Sequence, residues 1–209
     1  MSDIYVFDLD GTLVDSMHNY SKAILSILDE AGIAYAPDLI KTLAVLGNTK
    51  SAELYVKMGV RDSVENLVAR IEEMMIYEYT NTIYTKPGVA DYLDRLRAKG
   101  TRLFVLTASP HITTDACLKH NGIFDWFEKV WSVEDFKLTK YDTRLFEAVA
   151  KTIGCAPEEI HYFDDNLIAL QNAKKTGYQT YGVHDLQDTD ELEIMKKEHQ
   201  YVESFETLL

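Results

Sequence analysis

Apolar positions fall in two patterns along this chain. Ile4-Tyr5-Val6-Phe7 is a continuous apolar run that leads into Asp8-Leu9-Asp10-Gly11-Thr12-Leu13. A continuous run, as opposed to an alternating one, predicts a strand covered on both faces within a parallel sheet. Residues 102–107, 130–132, 160–164 and 178–183 predict further strands. Helical periodicity fills the intervals. Pro87-Gly88 opens one helix and Lys99-Gly100 closes it, a Pro-start and Gly-stop arrangement. Residues 143–153 are apolar at Leu145, Phe146, Val149, Ala150 and Ile153 and stop at Gly154, and 166–176 stop at Gly177. Alternation of strand and helix predicts an α/β fold with a doubly wound, Rossmann-like parallel sheet.

Residues 15–86 break the alternation. Tyr20, Ala23, Ile24, Ile27, Leu28 and Ala31 recur at helical spacing, and Val64, Leu67, Val68, Ile71, Met74 and Met75 repeat it. The expected organisation is a core from 1–14 and 87–209 with an all-helical insertion at 15–86. Leu46-Gly47-Asn48-Thr49-Lys50 reads as a break between helical segments, and Asp15 or Ser16 as the cap of the first inserted helix. The charged stretch 188–199 reads as a surface helix, with Tyr201-Val202 and 205–209 packed back on the core.

Composition narrows the classes. An apolar content of 46% with thirteen Tyr, eight Phe and two Trp excludes a disordered chain. A net charge of −13 disfavours nucleic acid or an anionic membrane as partner. Cys117 and Cys155 lack metal-ligand spacing and read as reduced structural thiols. No basic, apolar leader opens the chain, and no run reaches the ~18 apolar residues of a membrane helix. These features predict a soluble cytoplasmic protein, a monomer or small homo-oligomer.

In open parallel sheets, ligands bind outside the carboxyl ends of the strands. Those ends carry Asp8 and Asp10, then Thr107-Ala108-Ser109, then Asp164-Asp165-Asn166. Carboxylates that meet at one mouth repel, and a hard divalent cation such as magnesium relieves them. A phosphate dianion about 4 Å from a carboxylate is repelled by roughly 8 kcal/mol at an effective dielectric near 20. Phosphate chemistry on these acids therefore needs added positive charge. The cation supplies some, and Lys137 or Lys140 supplies more. The Thr107 hydroxyl, nearby backbone N–H groups and the helix start after Pro110 suit the phosphoryl oxygens.

These residues carry a resemblance. Asp8-Leu9-Asp10-Gly11-Thr12 resembles the DxDGT signature of the haloacid dehalogenase superfamily. Thr107 falls at its hydroxyl motif, Lys140 at its lysine motif and Asp164-Asp165 at its terminal acidic motif. The order and spacing are similar over essentially the whole chain. The 15–86 insertion and the C-terminal segment resemble the phosphoglycolate phosphatase and beta-phosphoglucomutase branch, which has a helical cap. Two departures are evident: Tyr141 follows the lysine in place of Pro, so Lys137 stays an alternative, and Ala169 stands where a second acid is expected.

The resemblance implies a magnesium-dependent phosphatase acting on a small phosphorylated metabolite. Asp8 is implied as nucleophile and Asp10 as general acid and base. Thr107, Ala108 and Lys140 are implied at the phosphoryl group. The magnesium is implied at Asp8, the Asp10 backbone carbonyl and Asp165, with Asp164 as a ligand or as the lysine's partner. The 46–50 stretch resembles the cap's specificity loop, which implies a substrate contact for Lys50, and His18 falls at the cap entrance. A phosphomutase or phosphotransferase uses the same motifs, and a non-catalytic phosphometabolite-binding protein is the third class. Asp10 and Thr12 disfavour a dehalogenase. Ser109, His111 and Asp115 are close in sequence only and predict no catalytic triad.

Overall fold

The apolar runs become strands and the periodic stretches become helices in the order β1 (Ile4–Phe7), α1 (Met17–Glu30), α2 (Leu39–Met58), α3 (Val64–Asn81), α4 (Val89–Ala98), β2 (Arg102–Thr107), α5 (His111–His120), β3 (Lys129–Ser132), α6 (Val133–Phe136), α7 (Thr143–Ile153), β4 (Ile160–Asp164), α8 (Leu167–Lys175), β5 (Gln179–Val183), α9 (Thr189–Glu198) and β6 (Gln200–Val202). The fold, a computed structural model, is described for residues 3–36, 39–185 and 189–209, apart from the side chains of 17, 18, 20, 41, 42 and 44–47. By internal packing the chain divides into two units, one of residues 1–15 and 84–209 and one of Ser16–Ile83.

The first unit is a Rossmann-like α/β fold. Its strands form one parallel sheet ordered β3-β2-β1-β4-β5-β6. Alternate side chains face opposite ways. Ile4, Val6, Phe104, Leu106, Ile160 and Tyr162 share a buried cluster with Leu145, Phe146 and Val149 of α7 and Leu170 and Ala173 of α8. The other face carries stacked rings, with Phe163 and Tyr181 at 4.3 Å between centroids and Phe7, Tyr92 and Phe205 around them. The sheet order reverses between β1 and β4, and such a switch point opens a crevice at the carboxyl ends of the two strands. Leu13–Asp15 and Tyr84–Lys86 run antiparallel, with Asp15 N–H donating to Tyr84 O and Lys86 N–H to Leu13 O.

The second unit is helical. Ile24, Ile27 and Leu28 of α1, Leu43, Ala52 and Tyr55 of α2, and Leu67 and Ile71 of α3 are buried. The Tyr55 hydroxyl donates to Ile24 O at 3.0 Å. The expected break at 46–50 is corrected here: α2 runs unbroken through it. A helix-interior glycine costs about 1 kcal/mol relative to alanine, whereas burying one large apolar side chain gains about 1.5–3 kcal/mol. Packing on both sides of Gly47 therefore overrides the local preference. Ser16 occupies the N-cap of α1, but its hydroxyl accepts no capping bond.

In the first unit α4 opens at Pro87-Gly88 as expected, with Gly88 its N-cap at φ 81°. A Cβ there would also strike the backbone of Phe205 and Glu206. β6 extends the sheet, with Val202 opposite Val183. A three-residue strand beginning with Gln200 is too short to show a period of its own. Among the described residues no helix is long and apolar enough to cross a membrane.

His199, buried behind β5, shares a 2.7 Å hydrogen bond through Nδ1 with Thr180 Oγ1. Burial, and secondarily Lys174, lowers the affinity of its imidazole for a proton, against the weaker opposing pull of Glu198. The unfolded chain takes up that proton near pH 6.5 and the folded chain only at lower pH. The stability linked to His199 is therefore complete above about pH 6.5 and lost as the pH falls below it. Urea unfolding at pH 7.5 and 5.5 is expected to show a smaller drop for His199→Gln than for the parent chain.

Candidate active site

The parallel register assembles the site. Phe7 pairs with Phe163, so the next residues along, Asp8 and Asp164, emerge side by side where β1 and β4 end. Asp8 N–H donates to Phe163 O at 2.8 Å, which extends the ladder by one residue and fixes the Asp8 backbone. Asp8 is 5% exposed and Asp164 fully buried. Asp165 follows at the edge. One carboxylate oxygen from each of Asp8, Asp164 and Asp165 lies within 4.8 Å of the others.

Lys140 reaches this group from the loop after α6. Its Nζ donates to Asp8 Oδ1 at 2.5 Å and to Asp164 Oδ2 at 2.8 Å. Asn172 of α8 holds the lysine's own backbone, donating Nδ2 to Lys140 O at 3.0 Å. Asp164 is saturated. Oδ1 accepts from Asn166 N–H at 2.8 Å, and Oδ2 accepts from the Tyr162 hydroxyl as well as from Lys140. Asn166 caps α8 by accepting from Ala169 N–H, which leaves Asp165 clear of the capping position.

β2 supplies the hydroxyl side. Thr107 is 1% exposed at the end of that strand, and its Oγ1 accepts from Ser109 N–H at 3.0 Å. The Ser109 hydroxyl donates to Asp10 Oδ2 at 2.6 Å. Asp10 is thus held toward the β2 loop, apart from the three clustered carboxylates.

Burial dominates the electrostatics. It pushes the Asp8 carboxyl up to about 8, with Lys140 pulling down and Asp164 and Asp10 pushing further up. Burial also raises Asp165 well above the usual carboxylate range, aided by Asp164, Asp8 and Asp185. For Lys140 burial alone favours the neutral amine, but Asp164 and Asp8 outweigh it and hold the ammonium protonated. Burial and the same carboxylates keep the Tyr162 hydroxyl a donor. Several acids therefore share one lysine. Their donor set is hard oxygen alone, which suits a hard divalent cation such as magnesium.

The sequence-derived residues divide clearly. Asp8, Asp164, Asp165 and Lys140 converge, and Asp10 joins Thr107 through Ser109. The expectation for Asp10 at the metal concerns its backbone carbonyl; its carboxylate lies outside the clustered group and accepts from the Ser109 hydroxyl. Ala108 is exposed beside Thr107, and Lys50 is exposed on α2 in the helical unit. Lys137 is exposed at the end of α6 in a left-handed conformation. The His18 side chain lies outside the described residues. Ser109, His111 and Asp115 form no triad: His111 pairs with Asp115 and Asp135, whereas Ser109 faces Asp10.

Sequence reasoning missed Tyr162, Asn172, Lys86 and Asp185. Tyr162 had a signal, since a residue two before Asp164 in a strand shares its face. Asp185 had one too: it follows the end of β5, and strand ends were the rule applied elsewhere.

The family model for haloacid dehalogenase-like hydrolases matches residues 5–183, which include every converging residue above. A phosphorylated carbohydrates phosphatase of Thermotoga maritima is 24% identical over 88% of this chain and 86% of its own length. A phosphoglycolate phosphatase of Rhodobacter capsulatus is 27% identical, covering 85% of this chain and 82% of its own. A Thermotoga maritima crystal structure, provisionally named a beta-phosphoglucomutase, superimposes with a TM-score of 0.84 at 23% identity, over 99% of this chain and 96% of that one. With most of its length matched, and the acid–lysine cluster inside the match, the chain belongs to the haloacid dehalogenase-like hydrolase family.

Proposed function

We propose that this phosphoric monoester hydrolase cleaves a small phosphorylated metabolite in a magnesium-dependent reaction, with Asp8 as nucleophile. The observation that carries the reading is the Lys140 ammonium set between Asp8 and Asp164, beside Asp165. A surface lysine has no reason to be buried against two carboxylates. A phosphoryl site needs that arrangement, because the acid must attack an anion. The named phosphatases among the relatives support the same class.

In the first step an Asp8 carboxylate oxygen attacks phosphorus. The new O–P bond makes an aspartyl phosphate, the bond to the leaving oxygen breaks, and that oxygen takes a proton from Asp10. In the second step Asp10 takes a proton from water. The resulting oxygen attacks phosphorus, the Asp8–phosphorus bond breaks, and inorganic phosphate leaves. Lys140 Nζ, Thr107 Oγ1 and the N–H groups of the β2 loop hold the transferring oxygens. Ser109 orients the Asp10 carboxylate. Asp8, Asp165 and the Asp10 backbone carbonyl would hold magnesium, with Asp164 anchoring Lys140. When bound, the ion supplies positive charge that offsets the repulsion between Asp8 and the phosphoryl oxygens.

The helical segment 15–86 serves as a cap that excludes bulk water and carries specificity residues, Lys50 among them. The enzyme works in the cytoplasm as a monomer or small homo-oligomer. Its acidic surface offers nothing to nucleic acid or an anionic membrane.

A phosphate-release screen tests this reading. The panel contains phosphoglycolate, sugar phosphates, nucleoside monophosphates and pyrophosphate, each with magnesium. Stoichiometric phosphate from at least one monoester is expected, abolished by a chelator and restored by magnesium. Release that survives chelation, or none across the panel, overturns the reading. Isomerised sugar phosphate without release would identify a sugar hydroxyl as acceptor in place of water.

A further inference from the structure

Lys86 and Asp185 form a second lysine–acid pair, partly buried, next to the site. Lys86 is held beside Leu13 by the antiparallel pairing of 13–15 with 84–86. Its Nζ donates to Gly11 O and, at 2.8 Å, to His184 O, and it lies 3.5 Å from Asp185 Oδ1. The two side chains are only 14% and 9% exposed. One ammonium thus ties the loop after Asp10 to the end of β5.

The other oxygen of Asp185 lies against Gly11. A Cβ built on Gly11 would strike both Asp185 Oδ2 and Asp165 Oδ2. The two carboxylates therefore converge over the bare Cα of Gly11, which sits at φ 74°. The close approach and the backbone conformation both require glycine here. Lys86 prevents Asp185 from swinging away. Asp165 thus has the Asp185 carboxylate on one side and, on the other, Asp8 and Asp164, with which its oxygens cluster.

We propose that Asp185, clamped by Lys86, is a positioning residue for the magnesium site: it orients Asp165 and adds negative charge behind it. The inference rests on the proposed magnesium-dependent reading of the cluster. It assigns a role to a strand end just beyond the residues matched by the family model. Outer-shell groups that orient a metal ligand typically govern 10–100-fold in metal affinity.

The experiment measures magnesium binding by isothermal titration calorimetry on the full chain without substrate. Asp185→Asn is expected to raise the magnesium Kd by about 10–100-fold. The double variant Lys86→Met/Asp185→Asn, which leaves no buried ammonium unpaired, is expected to show the same loss even if the single variant folds poorly. A purely structural clasp would lower the melting temperature and leave Kd alone, so an unchanged Kd in both variants overturns the proposal. Asp165→Asn separates the two levels. If it abolishes binding while the Asp185 variants bind normally, the positioning role alone fails. If it too binds normally, the reading of the cluster as the magnesium site fails as well.

Discussion

Asp8→Asn is expected to lower turnover by at least about 10⁴-fold and to leave the fold in place. The carboxamide cannot attack phosphorus, and no neighbour substitutes for it. Asp164 is already bonded to Lys140, Tyr162 and Asn166, and the Asp10 carboxylate faces Ser109. Stability should hold because the change is isosteric and removes a group that burial already drives toward its neutral form, with a pKa pushed up to about 8. Lys140 keeps its 2.8 Å bond to Asp164, so no ammonium is orphaned. Single-turnover phosphate release, with thermal melts run alongside, checks both halves. Substantial turnover by a folded Asp8→Asn protein would remove the nucleophile from the mechanism. Loss of the fold would show that the Asp8–Lys140 contact is a structural requirement.

Much of this arrangement is readable from local signals. Continuous apolar runs give β1, β2 and β4, and parallel strands at matching register bring Asp8 and Asp164 together without any knowledge of side-chain packing. The four-residue spread of candidate lysines was not resolvable in the same way. Lys137 and Lys140 lie in one polar stretch, and what separates them is remote. Asn172, on α8, grips the Lys140 carbonyl, while Lys137 turns outward as the left-handed end of α6. The Lys86 contacts with Gly11 and His184 join three segments far apart in the chain, and none of the three carries a periodic signal. The 46–50 segment failed for the opposite reason. Gly47 is a strong local signal, and the packing of α2 overrules it. Local chemistry thus marks the strand ends well, but the partners that orient those residues are chosen by tertiary contacts.

Lys140→Met is expected to destabilise the chain by about 3–5 kcal/mol in the absence of a divalent cation and to abolish turnover. Methionine keeps most of the aliphatic stem, so the loss reports on charge rather than volume. The lysine side chain is 12% exposed, against 6% for Asp8 and 0% for Asp164. Without it three clustered carboxylates face one another in a place where desolvation already raises Asp8 and Asp165. Magnesium should return part of the stability, about 2.7 kcal/mol at a concentration 100 times its Kd, because it binds the folded chain alone. Lys137→Met is the matched control. That residue is exposed, and its replacement should change stability by no more than about 0.5 kcal/mol and leave turnover intact. Urea unfolding of both variants, with and without magnesium, makes the comparison. Equal losses at 137 and 140, or a Lys140→Met chain as stable as its parent without the cation, would mean that the acids are not held together by this lysine.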